Sequence, residues 1–132
     1  MWAGLNLGVD MSVDTARVGA CATIRYESVV VVIWEFYVKD GCEGAFEHLY
    51  GPCGEWVQLF RLASGFHRTE LLKDHANRSR YLTLDYWTSV AEYDAFRSAY
   101  AAQFRDIDAK GETLTERESL IGSFEAAWDR VA

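Results

Sequence analysis

A run of β-branched and aromatic residues, SVVVVIWEFYV at positions 28–38, constrains the fold of this chain more than any other feature. Such side chains favour the extended backbone of a strand, and the polar residues KDG that follow at positions 39–41 are typical of a strand end. The run is far too short to cross a bilayer as a helix. We therefore predict a strand over residues 28–38.

The next segments predict helices and then a hairpin. Asp40 is placed to cap a first helix, and a second helical pattern, EWVQLFRLA, occupies residues 55–63. Two extended runs, FHRTELLKD at 66–74 and RYLTLDYW at 80–87, flank a polar turn that contains Asn77. Extended runs joined by a few polar residues are typical of a β-hairpin.

The last part of the chain predicts one long helix and a final strand. Ser89 and Glu92 form a capping box, and apolar residues recur at helical spacing over residues 90–109. The segment SLIGSFEAAW at 119–128 then predicts a strand. The order is that of an α+β split βαββαβ sandwich, an antiparallel sheet with helices on one face.

Length and composition favour one globular domain. The chain has 132 residues, half of them hydrophobic, which fits a single core. We assign residues 28–132 to the domain and residues 1–27 to an N-terminal extension, flexible or with a short strand. The uncovered sheet face would still carry large apolar groups, which favours a homodimer.

Charge, cysteines and histidines exclude several classes of partner and cofactor. The net charge is −7 and no run of Lys or Arg is present, so we expect neither nucleic acid nor an anionic membrane as partner. The three cysteines form no CxxC pair and the three histidines show no metal-binding spacing, so we expect no metal. No glycine-rich phosphate loop is present, and no cofactor is predicted. Reduced thiols and the lack of a signal-like start favour the cytoplasm.

Asp85 lies in the predicted strand of residues 80–87, where a half-buried sheet usually has an apolar or hydroxyl side chain. Alternation places Tyr81, Thr83, Asp85 and Trp87 on one face. Glu35 is a second carboxylate inside a predicted strand, the first one, and its role is equally open.

Two interpretations of Asp85 follow. A buried carboxylate without a cation would have a raised pKa and could serve as a base near neutral pH. Alternatively, Asp85 forms a structural ion pair with Arg61, Arg68 or Arg80, which are near it in the predicted fold, and this is the interpretation we favour from the sequence.

Candidate site residues come from the aromatic and basic side chains. A pocket for a flat aromatic ligand would be lined mainly by rings with a few polar groups. His67 is an alternative base, and its neighbour Arg68 is a candidate anion stabiliser. The predicted substrate-binding residues are Trp34, Phe36, Tyr50, Trp56, Phe60, Tyr81 and Trp87.

The motifs of residues 29–124 resemble the antibiotic biosynthesis monooxygenase domain. The resemblance rests on GEWVQLF at 54–60, TELLKD at 69–74 and RYLTLDYW at 80–87. It implies a ferredoxin-like fold that dimerises into an α+β barrel. In some members it also implies oxygenation of polycyclic aromatics without metal or flavin. Haem-degrading relatives bind iron through a His on the second helix, whereas residues 90–109 contain none, so haem is not expected.

Two functions from different classes remain. The chain is either a cofactor-independent, monooxygenase-like enzyme that acts on an aromatic or quinol substrate, or a noncatalytic dimeric module that binds a small molecule or serves a stress-related role. In the enzyme, Asp85 or His67 would be the base and Arg68 would stabilise the anion. A closed, fully packed interior would favour the second function.

Overall fold

The computed structural model describes residues 29–125. The predicted extension, residues 1–27, lies outside the described residues. The elements run in the order β1 (Val30–Val38), α1 (Glu43–Tyr50), α2 (Glu55–Phe60), β2 (Phe66–Lys73), β3 (Arg80–Trp87), α3 (Val90–Ala99), α4 (Ala101–Glu112) and β4 (Thr115–Glu125).

Within residues 29–125 the strands form one four-stranded sheet in the order β2-β3-β1-β4, and each pairing is antiparallel. The predicted ferredoxin-like α+β sandwich is therefore confirmed. The apolar run that predicted a strand is central because β1 pairs with β3 on one side and with β4 on the other. No helix in this part of the chain is long and apolar enough to span a membrane.

Alternation along the strands separates two faces of the sheet. On β3 every second residue, from Tyr81 to Trp87, lies on one face, as predicted, and that face is buried beneath the helices. The intervening side chains lie on the outer face, where large apolar groups such as Leu72 and Phe124 are 46% and 47% exposed. An apolar outer face is the feature that motivates the predicted dimer, which stays a prediction.

The helices differ from the sequence prediction at two places. The first helix begins after Cys42 without a side-chain cap, so the predicted Asp40 cap is wrong. The predicted helix of residues 90–109 is two helices that meet at Tyr100, where the backbone (φ −115°, ψ 33°) leaves the helical region. The Tyr100 ring packs on Phe96 with centroids 4.4 Å apart, so tertiary packing accompanies the bend. The predicted Ser89 cap is confirmed, since its hydroxyl accepts a hydrogen bond from the Glu92 N–H.

Strand β4 is irregular where it passes the middle of β1. Its register with β1 shifts between Ile33 and Trp34, which leaves Ile121 as an extra residue. Gly122, next to it, has a φ of 152°, a conformation that is open to glycine and costly for other residues. The bulge changes which β4 side chains face the helices, so that Glu118 pairs with Phe36 on the inner face.

Candidate functional site

A cavity opens between the inner face of the sheet and the helices. Its empty space is about 650 Å³, which includes a part that is open to solvent. The centre of a water molecule can occupy about 100 Å³ of this space. The 100 Å³ that water can occupy is smaller than the roughly 300 to 1,000 Å³ of most small-molecule pockets, so a ligand with several rings would extend into the open part. The lining residues come from both layers, the sheet and the helices, and are Trp34, Phe36, Tyr50, Trp56, Phe60, Thr69, Thr83, Asp85, Tyr93, Arg97, Phe104, Asp108 and Glu118.

Asp85 is the buried carboxyl group of this cavity. Its side chain lies on β3 opposite Thr69 of β2, and the residue is only 8% exposed. The Thr69 hydroxyl donates a hydrogen bond of 2.6 Å to Asp85 Oδ1. Burial raises the pKa of Asp85 to about 7, and the Thr69 hydrogen bond opposes that rise because it favours the ionised form. Asp85 can therefore gain or lose a proton near neutral pH.

The predicted ion pair between Asp85 and an arginine is wrong. Among residues 29–125, no Lys, Arg or His nitrogen lies within 4.0 Å of the Asp85 carboxylate. Arg80 instead contacts Glu35 at 2.6 Å and Asp74 at 3.1 Å, and Arg68 lies 3.5 Å from a carboxylate oxygen of Glu70.

The physical reason is the alternation of side chains. Arg68 and Arg80 project from the outer face of the sheet, whereas Asp85 projects from the inner one. Glu35, the second carboxylate considered in the sequence, also lies on the outer face. It accepts a hydrogen bond from Arg80 there and does not line the cavity.

The predicted aromatic residues divide into two groups. Tyr81 and Trp87 do not line the cavity; they are almost fully buried behind it, and the Tyr81 hydroxyl donates a hydrogen bond of 2.5 Å to Glu47. The other five of the seven predicted substrate-binding residues line the cavity: Trp34, Phe36, Tyr50, Trp56 and Phe60.

The two predicted basic site residues lie away from the cavity lining. His67 occupies the bulge at the start of β2, with Nε2 3.1 Å from the Thr88 hydroxyl, and burial lowers its pKa. The Arg68 guanidinium lies over the Tyr86 ring, 3.9 Å from its centroid, on the outer face. Their catalytic roles stay predictions, and the lining of the cavity gives them no support.

Sequence reasoning missed the polar residues that share the cavity with Asp85. Thr83 could have been found from its alternation with Asp85, and Thr69 from the hairpin pairing. Tyr93, Arg97, Asp108 and Glu118 come from α3, α4 and β4, and only the packing of these elements brings them together.

The electrostatics of these groups follow from burial and from one another. Burial raises the pKa of Tyr93 to about 12. It also raises the pKa of Glu118 above its ordinary value, with a further contribution from the negative charges of Asp108 and Glu112. Within the described chain, no three His, Cys, Asp or Glu side chains are grouped as a metal site.

Removing the Thr69 hydroxyl should raise the pKa of Asp85 further. The hydrogen bond stabilises the carboxylate, so we expect Thr69→Val to raise this pKa by about 1, since a bond to a charged group is worth about 1.5 kcal/mol or more. The measurement is a ¹³C NMR titration of the Asp85 carboxyl carbon. Thr69→Ser, which keeps the hydroxyl, should titrate like the wild type. An unchanged pKa in Thr69→Val would show that the hydrogen bond does not control this carboxyl.

The fold is that of a small α+β domain with an aromatic cavity and one buried acid. The model of the antibiotic biosynthesis monooxygenase family matches residues 29–109. This match spans more than half of the chain, and the chain belongs to that family.

Solved structures with the same fold include an oxygenase. SnoaB, a cofactor-independent oxygenase from Streptomyces nogalater, is 19% identical with a TM-score of 0.61, and the match covers 80% of this chain and 97% of SnoaB. A mutant of SnoaB gives 18% identity and a TM-score of 0.65, over 80% and 99% of the two chains. Rv0793 from Mycobacterium tuberculosis is 16% identical with a TM-score of 0.58, over 79% and 99%. Identities this low show the fold alone. No curated protein matches the chain.

Proposed function

We propose that this protein is a cofactor-independent monooxygenase that acts on an aromatic or quinol small molecule, with Asp85 as the base. The observation that carries the proposal is a buried carboxyl with a pKa of about 7 that lines a cavity walled by aromatic rings. A base with a pKa near the working pH is the kind that general base catalysis favours. The family, and the oxygenase with the same fold, support the reaction class.

The chemistry needs only the substrate, oxygen and a base. Asp85 takes a proton from an acidic C–H or O–H of the ring system, and the resulting carbanion or phenolate supplies the electrons that reduce O₂. At a ring methylene, one oxygen atom ends in the new C=O bond and the other leaves as water, together with the two hydrogens of that carbon. The protein binds the substrate, accepts the first proton and keeps bulk water away from the anion.

The negative charge that develops on the substrate needs a counter-charge. Among the residues that line the cavity, Arg97 is the one with a permanent positive charge. Its guanidinium lies 5.6 Å from the centroid of the Tyr93 ring and 6.0 Å from that of Phe104. We therefore assign to Arg97 the anion-stabilising role that the sequence suggested for Arg68.

We also propose that the active form is a homodimer. Leu72 and Phe124 are exposed on the outer face of the sheet, and Ile121 is exposed at the bulge of β4. A second copy would remove these apolar groups from water. The helical face, with the cavity beneath it, would remain available to the ligand.

The proposal is tested by oxygen uptake with a panel of anthrones and quinols, run beside tryptophan fluorescence titrations that report binding. For a substrate that the wild type oxidises, Asp85→Asn should lower the rate of oxygen uptake on the order of a hundredfold, while quenching still saturates. His67→Ala, a matched control outside the cavity, should keep the wild-type rate.

Other outcomes would count against the proposal. Saturable binding without oxygen uptake by the wild type would favour the noncatalytic binding module. If Asp85→Asn kept full activity while His67→Ala lost it, the assignment of the base would be wrong.

A further inference from the structure

The charges around the cavity are unequal, and this bears on the class of ligand that the proposed site takes. Three carboxyl groups, Asp85, Asp108 and Glu118, line it, against the single guanidinium of Arg97. The balance is negative whenever two or more of the acids are ionised. A negative cavity disfavours a carboxylated or phosphorylated ligand, because bringing like charges together in a partly desolvated space is costly.

Two of these acids, Asp85 and Glu118, lie far apart on the inner face of the sheet. Asp85 pairs with Val32 of β1, and Glu118 pairs with Phe36 of the same strand from the other side. Asp85 and Glu118 are offset by four positions along β1 and by two strand spacings across the sheet. These offsets correspond to roughly 13 Å and roughly 10 Å, so the Cα atoms of the two residues are roughly 16 Å apart. A ligand that meets both carboxyl groups must be elongated, with several fused or linked rings.

Glu118 lies among negative charges, since its pKa is raised by burial and then by Asp108 and Glu112, whereas Asp108 itself is within electrostatic reach of Arg97. In the part of the chain that the structure describes, no Lys, Arg or His nitrogen lies within 4.0 Å of the carboxylates of Glu118 or Asp108. Glu118 is nevertheless half-buried and faces the helices beside Phe36. Its charge therefore lacks both full hydration and a counter-ion within the described residues.

The aromatic walls are a second, independent observation that points to the same ligand. Trp34, Tyr50 and Trp56 line the cavity with Phe36, and their rings lie 4.8 to 6.4 Å from one another in successive pairs. The faces of such rings attract cations, and Trp does so most strongly. Rings and carboxylates together are how proteins recognise ammonium groups.

We propose that the ligand of this cavity is an elongated aromatic molecule that carries a protonated amine, with the amine beside Glu118 and the rings extending toward Asp85. This inference rests on the cavity that the proposed function uses, and it adds the charge of the substrate. In the oxygenation, the acidic ring position would lie at the Asp85 end, away from the amine.

The test compares three anthracene probes of the same shape: 2-(aminomethyl)anthracene, 2-(hydroxymethyl)anthracene and anthracene-2-carboxylate. Tryptophan quenching without any turnover gives each Kd. We expect the amine to bind about tenfold more tightly than the alcohol and the carboxylate to bind most weakly, with the difference decreasing at high salt.

Two variants of equal net charge localise the effect. Glu118→Gln should remove most of the preference for the amine and leave the Kd of the alcohol within about twofold. Glu116→Gln, an exposed glutamate of the same strand outside the cavity lining, should keep the preference. Equal affinities for the three probes, tighter binding of the carboxylate, or no binding of any probe would overturn the inference.

These outcomes are separable from those of the proposed reaction. A preference for the amine that depends on Glu118, without oxygen uptake for any amine-bearing anthrone, would leave the inference standing and reject the monooxygenase. Oxygen uptake with neutral anthrones, without any preference for the amine, would reject the inference alone.

Discussion

Between about pH 4 and pH 8, the free energy of unfolding of the wild type should fall by about 4 kcal/mol relative to that of Asp85→Asn. The cause is the buried carboxyl, whose pKa burial raises from 3.8 to about 7. Well below pH 3.8 the carboxyl is protonated in both folded and unfolded chains, and it costs little. As the pH rises, the unfolded chain ionises first, so it releases a proton that the folded protein still holds.

The sign of this effect follows from that proton. A group with a raised pKa in the folded state gives stability that is present below the unfolded pKa and is lost as the pH approaches the folded one. Well above pH 7 both states are ionised, and the difference between the two proteins becomes constant.

Urea unfolding at a series of pH values measures this difference, because groups shared by the two proteins cancel. Asp74 provides a matched control, since it lies near Arg80 and its pKa is lowered, mainly by the backbone hydrogen bond from Ala76. Asp74→Asn should therefore not show the relative gain in stability at high pH. Parallel curves for the wild type and Asp85→Asn would mean that the carboxyl is solvated in the folded protein.

The same burial that makes Asp85 unfavourable for stability makes it suitable as a base. A solvated aspartate would be fully ionised at neutral pH and would be too weak a base for a ring C–H. A carboxyl in an apolar cavity becomes a stronger base because its charged form is poorly hydrated. Thr69 limits the effect, so that part of the population is ionised near neutral pH.

The sequence predicted the sheet and its two faces because strand periodicity is local. The alternation that placed Tyr81, Thr83, Asp85 and Trp87 on one face depends only on the pleat of the backbone, and all four are buried. The Ser89 cap is also local, and it too is confirmed. Such features need no knowledge of the neighbours of a segment.

The cavity could be predicted only in part because it depends on how distant elements meet. The ion pair expected for Asp85 was wrong because the alternation that puts Asp85 on the inner face puts Arg80 of the same strand on the outer one, which the sequence already implied. Glu118 reaches the inner face beyond a bulge in β4 that the sequence did not indicate. The bend at Tyr100, which separates α3 from α4, was also not predicted. It occurs where the Tyr100 ring packs on Phe96, and no capping residue in the sequence indicates it.

Replacing Trp87 by alanine should remove about 3 to 5 kcal/mol from the free energy of unfolding. The residue is fully buried, and its ring lies 5.3 Å from those of Phe60 and Phe66 and 5.2 Å from that of Tyr93. Alanine would leave a cavity where β3 meets α2 and α3. The measurement is urea unfolding with a common slope, beside Leu62→Ala, whose side chain is 62% exposed and should cost less than about 0.5 kcal/mol.

A phenylalanine at the same position separates packing from polarity. The Trp87 indole N–H is buried without a hydrogen-bond partner among the described residues, so Trp87→Phe removes an unsatisfied donor along with part of the ring. We expect its cost to be about 1 kcal/mol or less, because the two effects oppose each other. The sequence placed Trp87 among the walls of the ligand pocket. If Trp87→Ala lost ligand binding but kept its stability within about 1 kcal/mol, that assignment would be favoured over the core position that its burial indicates.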